Sequence, residues 1–294
     1  MVGILEIPDA YLGGLPLLCA LCGLGLVIGV LTGLFGVGGA FLITPMLNVL
    51  FGIDYQIAVG SSLCFTIGAG ANGLARHARL KNVEVKSMVL LGVGGICGAW
   101  LGAILNEFLK STFGEHDYTL VMHGLFVLVL TFTAWLIFRG SSADKHGLSL
   151  LQRVRLPPYI DLPGAELSHV SLIGMCLAGL SIGVMGGLLG IGGGVLFMPL
   201  LILVVGLGAH QAVGTSLGVV LFTSISGTIK YGLAGKVYLS IALALLVGST
   251  IGIQVGASLC QKLPATKLRR YFSALVLLVV ILLAVELARH LLPH

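Results

Sequence analysis

The stretch Gly29–Leu47, GVLTGLFGVGGAFLITPML, decides the reading of this chain, because it returns 154 residues later as Gly183–Leu201, GVMGGLLGIGGGVLFMPLL. In that alignment Gly36, Gly38, Gly39 and Pro45 meet Gly190, Gly192, Gly193 and Pro199. The same offset carries on without a gap. AVGSSL (Ala58–Leu63) falls on AVGTSL (Ala212–Leu217), and Gly94, Gly98 and Gly102 fall on Gly248, Gly252 and Gly256. A fixed offset over this length predicts two halves built on one backbone plan.

With 57% hydrophobic and 9% charged residues among 294, and a mean hydropathy of +1.09, the chain has too little polar surface to coat a soluble globule. It is a bilayer composition. Eight apolar runs, near Leu12–Phe35, Ile57–Leu74, Ser87–Phe108, Thr119–Phe138, Val170–Leu189, Gln211–Ile229, Leu239–Cys260 and Tyr271–Leu292, approach the length that a membrane helix requires. Each half also holds a shorter run, Gly38–Phe51 and Gly192–Gly206, opened by glycines and interrupted by proline. The predicted fold is therefore all-α and polytopic, with two homologous repeats, each of four full spans plus one short Gly/Pro-interrupted helix. The start lacks the basic residues and cleavage site of a signal peptide, so the first run is read as a retained helix.

The predicted divisions are a first transmembrane repeat, 1–138, a cytoplasmic linker, 139–169, and a second transmembrane repeat, 170–294. Pro157-Pro158 and Pro163-Gly164 argue against one continuous helix in the linker, and Leu148, Leu150, Leu151 and Val154 are expected at a membrane surface. Orientation depends on whether the short runs cross or re-enter. If they cross, the basic loops Arg76–Lys86, Arg139–His169 and Gln261–Arg270 share one side with twelve of the sixteen Lys and Arg, and the repeats are inverted. If they re-enter, the repeats are parallel and the split is eleven to five. Inversion is preferred, because it brings both glycine motifs to one central site. The net charge of +5 is thus an orientation signal, with no nucleic-acid partner implied.

The glycines Gly36, Gly38, Gly39, Gly190, Gly192, Gly193 and Gly194 permit positive φ and close backbone approach, and a helix starting after them presents unpaired N–H groups. Two such starts facing each other would bind an anion without a buried lysine. The competing reading is tight helix packing. Ser61, Ser62, Thr215 and Ser216 follow as candidate hydroxyl donors to an oxyanion, or as helix-packing residues. Asn72, Arg76, His210 and Lys230 are candidate pathway residues: the cations either draw anions to the mouths or reach headgroups, and His210 is either a protonatable gate or a loop histidine. The stripes Gly94/Gly98/Gly102 and Gly248/Gly252/Gly256 read as close-packing devices. No cofactor and no metal site is expected. Cys19 and Cys22 lie inside a predicted span without a second pair, and no carboxylate pair, Ser-His-Asp order or H-E-x-x-H supports an enzyme.

The doubled pattern G-x-x-x-G-x-G-G-(A/G)-x-x-x-x-P followed by A-V-G-(S/T)-S-L resembles the TauE/SafE sulfite exporter family, also called the toluene sulfonate uptake permease family. The resemblance covers both halves outside the linker. It implies a multi-pass protein of a prokaryotic inner membrane that transports sulfur-containing oxyanions such as sulfite or sulfoacetate. The family-pattern positions are Gly36, Gly38, Gly39, Pro45, Gly190, Gly192, Gly193 and Pro199, with Ser61, Ser62, Thr215 and Ser216. The halves depart from each other at Ala40 against Gly194 and Ser61 against Thr215. A secondary transporter working by alternating access is the leading reading, a passive small-anion channel the alternative. The anion and the lipid bilayer are the expected partners, with proton or cation coupling and a homodimer left open.

Overall fold

A computed structural model of the chain describes residues 15–140, 159–162 and 167–291. The first half contains α1 (Leu15–Phe35), α2 (Ala40–Phe51) and α3 (Tyr55–Arg79). A helical run from Val85 to Gly140 follows, broken where Gly114 leaves helical geometry at φ 72°, ψ 178°. Its two membrane-length parts are α4 (Val85–Gly114) and α5 (Asp117–Ile137). The second half contains α6 (Leu172–Leu189), α7 (Gly194–Leu203), α8 (Ala209–Leu233), α9 (Leu239–Lys262) and α10 (Ala265–Leu291). Among the described residues eight helices are long and apolar enough to cross a membrane, while α2 and α7 are short apolar helices. This is an all-α polytopic membrane protein.

The offset of the sequence reappears in the backbone. Helices α3 and α8 begin and end at equivalent residues, and positive φ recurs at Gly36/Gly190, Gly38/Gly192, Gly39/Gly193 and Gly52/Gly206. Lys81 has φ 58° where its equivalent, Gly235, has φ 69°. Between the halves, the strands β1 (Tyr159–Leu162) and β2 (Leu167–Ser171) pair antiparallel, Ile160 facing Val170. The apolar run expected from Val170 therefore becomes helical only at Leu172, because Ser171 caps α6 by accepting the Gly174 N–H at 3.1 Å. Leu148, Leu150, Leu151 and Val154 lie outside the described residues.

The main helix pairs exchange partners between the halves. A Cβ on Gly94, Gly98 or Gly102 of α4 would land on the backbone carbonyl of Cys176, Leu180 or Val184 of α6. A Cβ on Gly248, Gly252 or Gly256 of α9 would do so on Cys22, Leu26 or Val30 of α1. Both registers ascend together, so the paired helices are parallel. Their opposite edge is lipid-facing: Leu243, Val247, Ile251, Val255 and Leu259 form an exposed apolar stripe on α9.

Helices α3 and α8 cross in the centre and run antiparallel. The Glu84 N–H, beyond the end of α3, donates to Thr215 Oγ1 near the start of α8 at 2.9 Å. Reciprocally the Tyr238 N–H, beyond the end of α8, donates to Ser61 Oγ at 3.0 Å. Against α9, α3 runs parallel, with Asn72 on Gln254 and Arg76 on Ser258.

Two outcomes follow. Gly98→Val should abolish recovery of monodisperse protein by gel filtration, whereas Gly124→Val, where a Cβ meets nothing within 4 Å, should not. Lys81→Gly should stabilise the chain by about 1 kcal/mol in thermal unfolding, since a left-handed conformation costs a side chain about that much.

Candidate functional site

The two glycine motifs are the turns between α1 and α2 and between α6 and α7. Each packs on the central helix of the other half. A Cβ on Gly36 would strike the Val213 carbonyl of α8, and one on Gly190 would meet Val59 Cα of α3 at 2.9 Å. The motifs also meet each other. Gly38 and Gly192 both lie against Val220 and Thr66, and a Cβ on Gly194 would land on the Val37 carbonyl. That contact explains the departure at Ala40: it is fully buried but has room for its methyl, while Gly194 has none.

Helices α2 and α7 start at Gly39 and Gly193, both left-handed and without a side-chain cap. The amides of Ala40 and Phe41, and of Gly194 and Val195, make no hydrogen bond among the described residues. Each helix start carries roughly half a positive charge. Lys and Arg are absent from the buried residues that the structure describes. Any positive potential in this interior therefore comes from backbone.

The four hydroxyl residues of the AVG-(S/T)-S-L blocks surround these motifs, but their bonds go to backbone. Ser216 Oγ donates to Gly36 O at 2.7 Å, and Ser62 Oγ donates to Gly190 O at 3.2 Å, so each half ties down the glycine turn of the other. Thr44 Oγ1 supports that bond by donating to Ser62 Oγ at 2.7 Å. Ser61 and Thr215 accept the loop amides already described. In this conformation all four act as inter-half fasteners, the packing alternative of the sequence reading.

Hydroxyls with spare capacity lie elsewhere. Ser224 Oγ and Thr32 Oγ1 are fully buried and have no hydrogen-bond partner among the described residues. Ser224 Oγ would be 2.9 Å from a Cβ on Gly192, and Thr32 Oγ1 2.7 Å from one on Gly39, so each flanks a helix start. The sequence offers Ser224, with its neighbours Thr223 and Ser226, as a further candidate hydroxyl donor, but does not single out Thr32. The available signal was asymmetry, since under the offset Ser224 stands opposite Gly70 and Thr32 opposite Gly186.

The pathway candidates are distributed over the flanking seams. Asn72 Oδ1 accepts from Gln254 Nε2 at 2.8 Å, and Arg76 Nη2 donates to Ser258 Oγ at 3.3 Å. Lys230 pairs with Glu107 at 2.8 Å, a carboxylate partner that the sequence reading did not foresee. His210 Nε2 lies 3.1 Å from the carbonyls of both Cys260 and Leu263, where it caps the end of α9. A further buried network went unread: Gln56 and Tyr118 both donate to Asn106 Oδ1, and Asn106 Nδ2 donates to Leu188 O at 2.7 Å. No group of three His, Cys, Asp or Glu side chains suited to a metal occurs among the described residues.

Residues 21–283 match the family described as sulfite exporter TauE/SafE. The chain belongs to that family. Its relatives include the probable membrane transporter proteins YunE and YjnA of Bacillus subtilis. YunE is 28% identical over 82% of this chain and 87% of its own length. YjnA is 31% identical over 86% of this chain and 94% of its own. A probable membrane transporter protein of Methanocaldococcus jannaschii is 27% identical over 93% of this chain and 96% of its own. No solved structure matches.

The steric asymmetry between the motifs is directly measurable. Gly194→Ala should destabilise the protein by more than about 3 kcal/mol, because the clash is with backbone that cannot repack. Ala40→Gly should cost only about 1 kcal/mol, and thermal unfolding in detergent compares the two.

Proposed function

We propose that this TauE/SafE-family membrane transporter carries a small sulfur-containing oxyanion, sulfite or an organosulfonate such as sulfoacetate, held where the starts of α2 and α7 meet. The observation that carries this reading is the meeting itself: two uncapped helix starts with unbonded first-turn amides, flanked by the unpartnered hydroxyls of Ser224 and Thr32. Amides and hydroxyls suit an oxyanion, whose several oxygens accept from several directions. Gly36, Gly38, Gly39, Gly190, Gly192, Gly193 and Gly194 supply the turn. Ser62 and Ser216 hold the turns, and Ser61 and Thr215 fasten the loops of the opposite half. A carrier is favoured over a channel because the motif residues are buried on all sides, as an occluded state requires.

Alternating access is best served by inverted repeats. The antiparallel packing of α3 and α8 supports inversion. With α4 and α6 parallel and alternating with α5, α8 can oppose α3 only if α7 carries the chain from one face to the other. By the repeat, α2 does the same. Each half then has five passes, and the three basic loops share the cytoplasmic face of an inner membrane, the linker 139–169 among them.

The test is uptake of radiolabelled sulfite by proteoliposomes, with sulfonates, carboxylates and chloride as competitors. Sulfonates should compete, Gly39→Val and Gly193→Val should abolish uptake, and Ser224→Ala should raise KM about tenfold, the worth of one hydrogen bond to a charged group. Indifference to sulfonates would remove the substrate class. Ohmic currents far above carrier turnover would replace the carrier by a channel.

A further inference from the structure

The last turns of α3 and α8 make the same contact with different chemistry. Tyr231 Oη donates to the Gly187 carbonyl of α6 at 3.0 Å. At the equivalent place in the other half, His77 Nε2 lies 2.9 Å from the Gly33 carbonyl of α1. Both residues are fully buried, and each ring stands beside an equivalent crossing: His77 Cβ beside Gly214, Tyr231 Cβ beside Gly60. The two halves thus place one ring each on one glycine carbonyl each.

A carbonyl oxygen only accepts, so Nε2 carries the hydrogen and the lone pair of the neutral imidazole is on Nδ1. His77 Nδ1 is buried and has no hydrogen-bond partner among the described residues. Tyrosine has no equivalent atom. It keeps one donor and stays uncharged across physiological pH, whereas imidazole gains and loses a proton near neutrality. Tyrosine alone would satisfy the shared contact, so the substitution of His in one half adds a proton acceptor and nothing the packing needs.

The surroundings oppose charge in this conformation. The charged or titratable groups acting on His77 are His210 on α8 and Arg76 on its own helix, neither of them anionic. With the ring fully buried, no anionic group acting on it, and Nδ1 unpartnered among the described residues, the closed contact holds the neutral ring, and opening to water admits the proton. Gly33 lies one turn before Gly36, whose carbonyl Ser216 holds, so this contact sits on the arm that carries the first glycine motif.

Resting on the transporter reading above, we propose that His77 is the proton-carrying residue of the transport cycle. It takes a proton onto Nδ1 from water on one face when the α1–α3 contact opens, and gives it up to water on the other face before the contact re-forms around the neutral ring. Tyr231 marks the half that does not titrate.

The experiment follows radiolabelled sulfoacetate, which keeps its charge between pH 6 and 8, in proteoliposomes of the full chain. One coupled proton changes the steady accumulation ratio about tenfold per unit of imposed pH gradient. His77→Tyr, which copies Tyr231, and His77→Gln, which keeps an N–H donor, should remove that response while retaining sulfoacetate counterflow at equal pH on both sides. A wild-type chain with counterflow but no pH response, or variants that keep the response, overturns the coupling and leaves transport standing. Wild-type protein without counterflow of either sulfoacetate or sulfite overturns the transporter reading itself. Should both variants fail to fold, a pH indicator read during sulfoacetate addition to wild-type protein in detergent decides the matter: about one proton exchanged per chain supports His77, and none overturns it.

Discussion

The structure depends on backbone meeting backbone at glycine. In α1 against α9 and α4 against α6, hydrogen atoms occupy positions where any Cβ would fall on a carbonyl of the neighbouring helix. Lipid tails are as apolar as leucine side chains, so helices in a bilayer gain little from hiding hydrophobic surface from each other. Close van der Waals contact and polar ties must take that role. Because the pairs join α1 to the second half and α6 to the first, neither half is complete alone. The tightest contacts of the molecule are the ones that make its repeats interdependent.

The same exchange governs the centre. A glycine turn with three positive φ angles is entropically loose, and its conformation has to be imposed from outside. The serine hydroxyls of the opposite half do this, Ser216 on Gly36 and Ser62 on Gly190. The consequence is that α2 and α7 begin at defined places with their first amides unspent. Positive potential is thereby placed in an apolar interior without the desolvation cost of a buried lysine. A site of the kind proposed would be weakly charged, leaving a bound anion free to depart.

Much of this was legible in the sequence. The offset predicted that the helices of one half have equivalents in the other, and the spacing of Gly94, Gly98 and Gly102 predicted close contact. The glycine–proline stretches predicted interrupted helices. What the sequence concealed was direction. AVGSSL and AVGTSL together read equally as four donors to a ligand or as four ties to backbone, and only the position of the opposite half distinguishes them. Lys230 could not be paired with Glu107 without the α4–α8 seam. The start of α6 moved because Ser171 caps it from a strand, a tertiary choice that hydropathy does not encode. Gln56, Asn106 and Tyr118 are distant in sequence and converge only through folding.

The departures from symmetry carry as much information as the symmetry. A perfect duplicate would present the same groups toward both faces. Here Ala40 opposes Gly194, Ser224 opposes Gly70, Thr32 opposes Gly186 and His77 opposes Tyr231. The first follows from sterics, because only one motif has room for a methyl. The other three place a hydroxyl or an imidazole where the partner half has none, and in each case a polar atom is left buried without a bond. An unpaired buried polar atom costs stability in the state observed. It ceases to cost where the atom finds a partner, so these three positions favour a different state of the same chain, with ligand bound, proton bound or the helices rearranged.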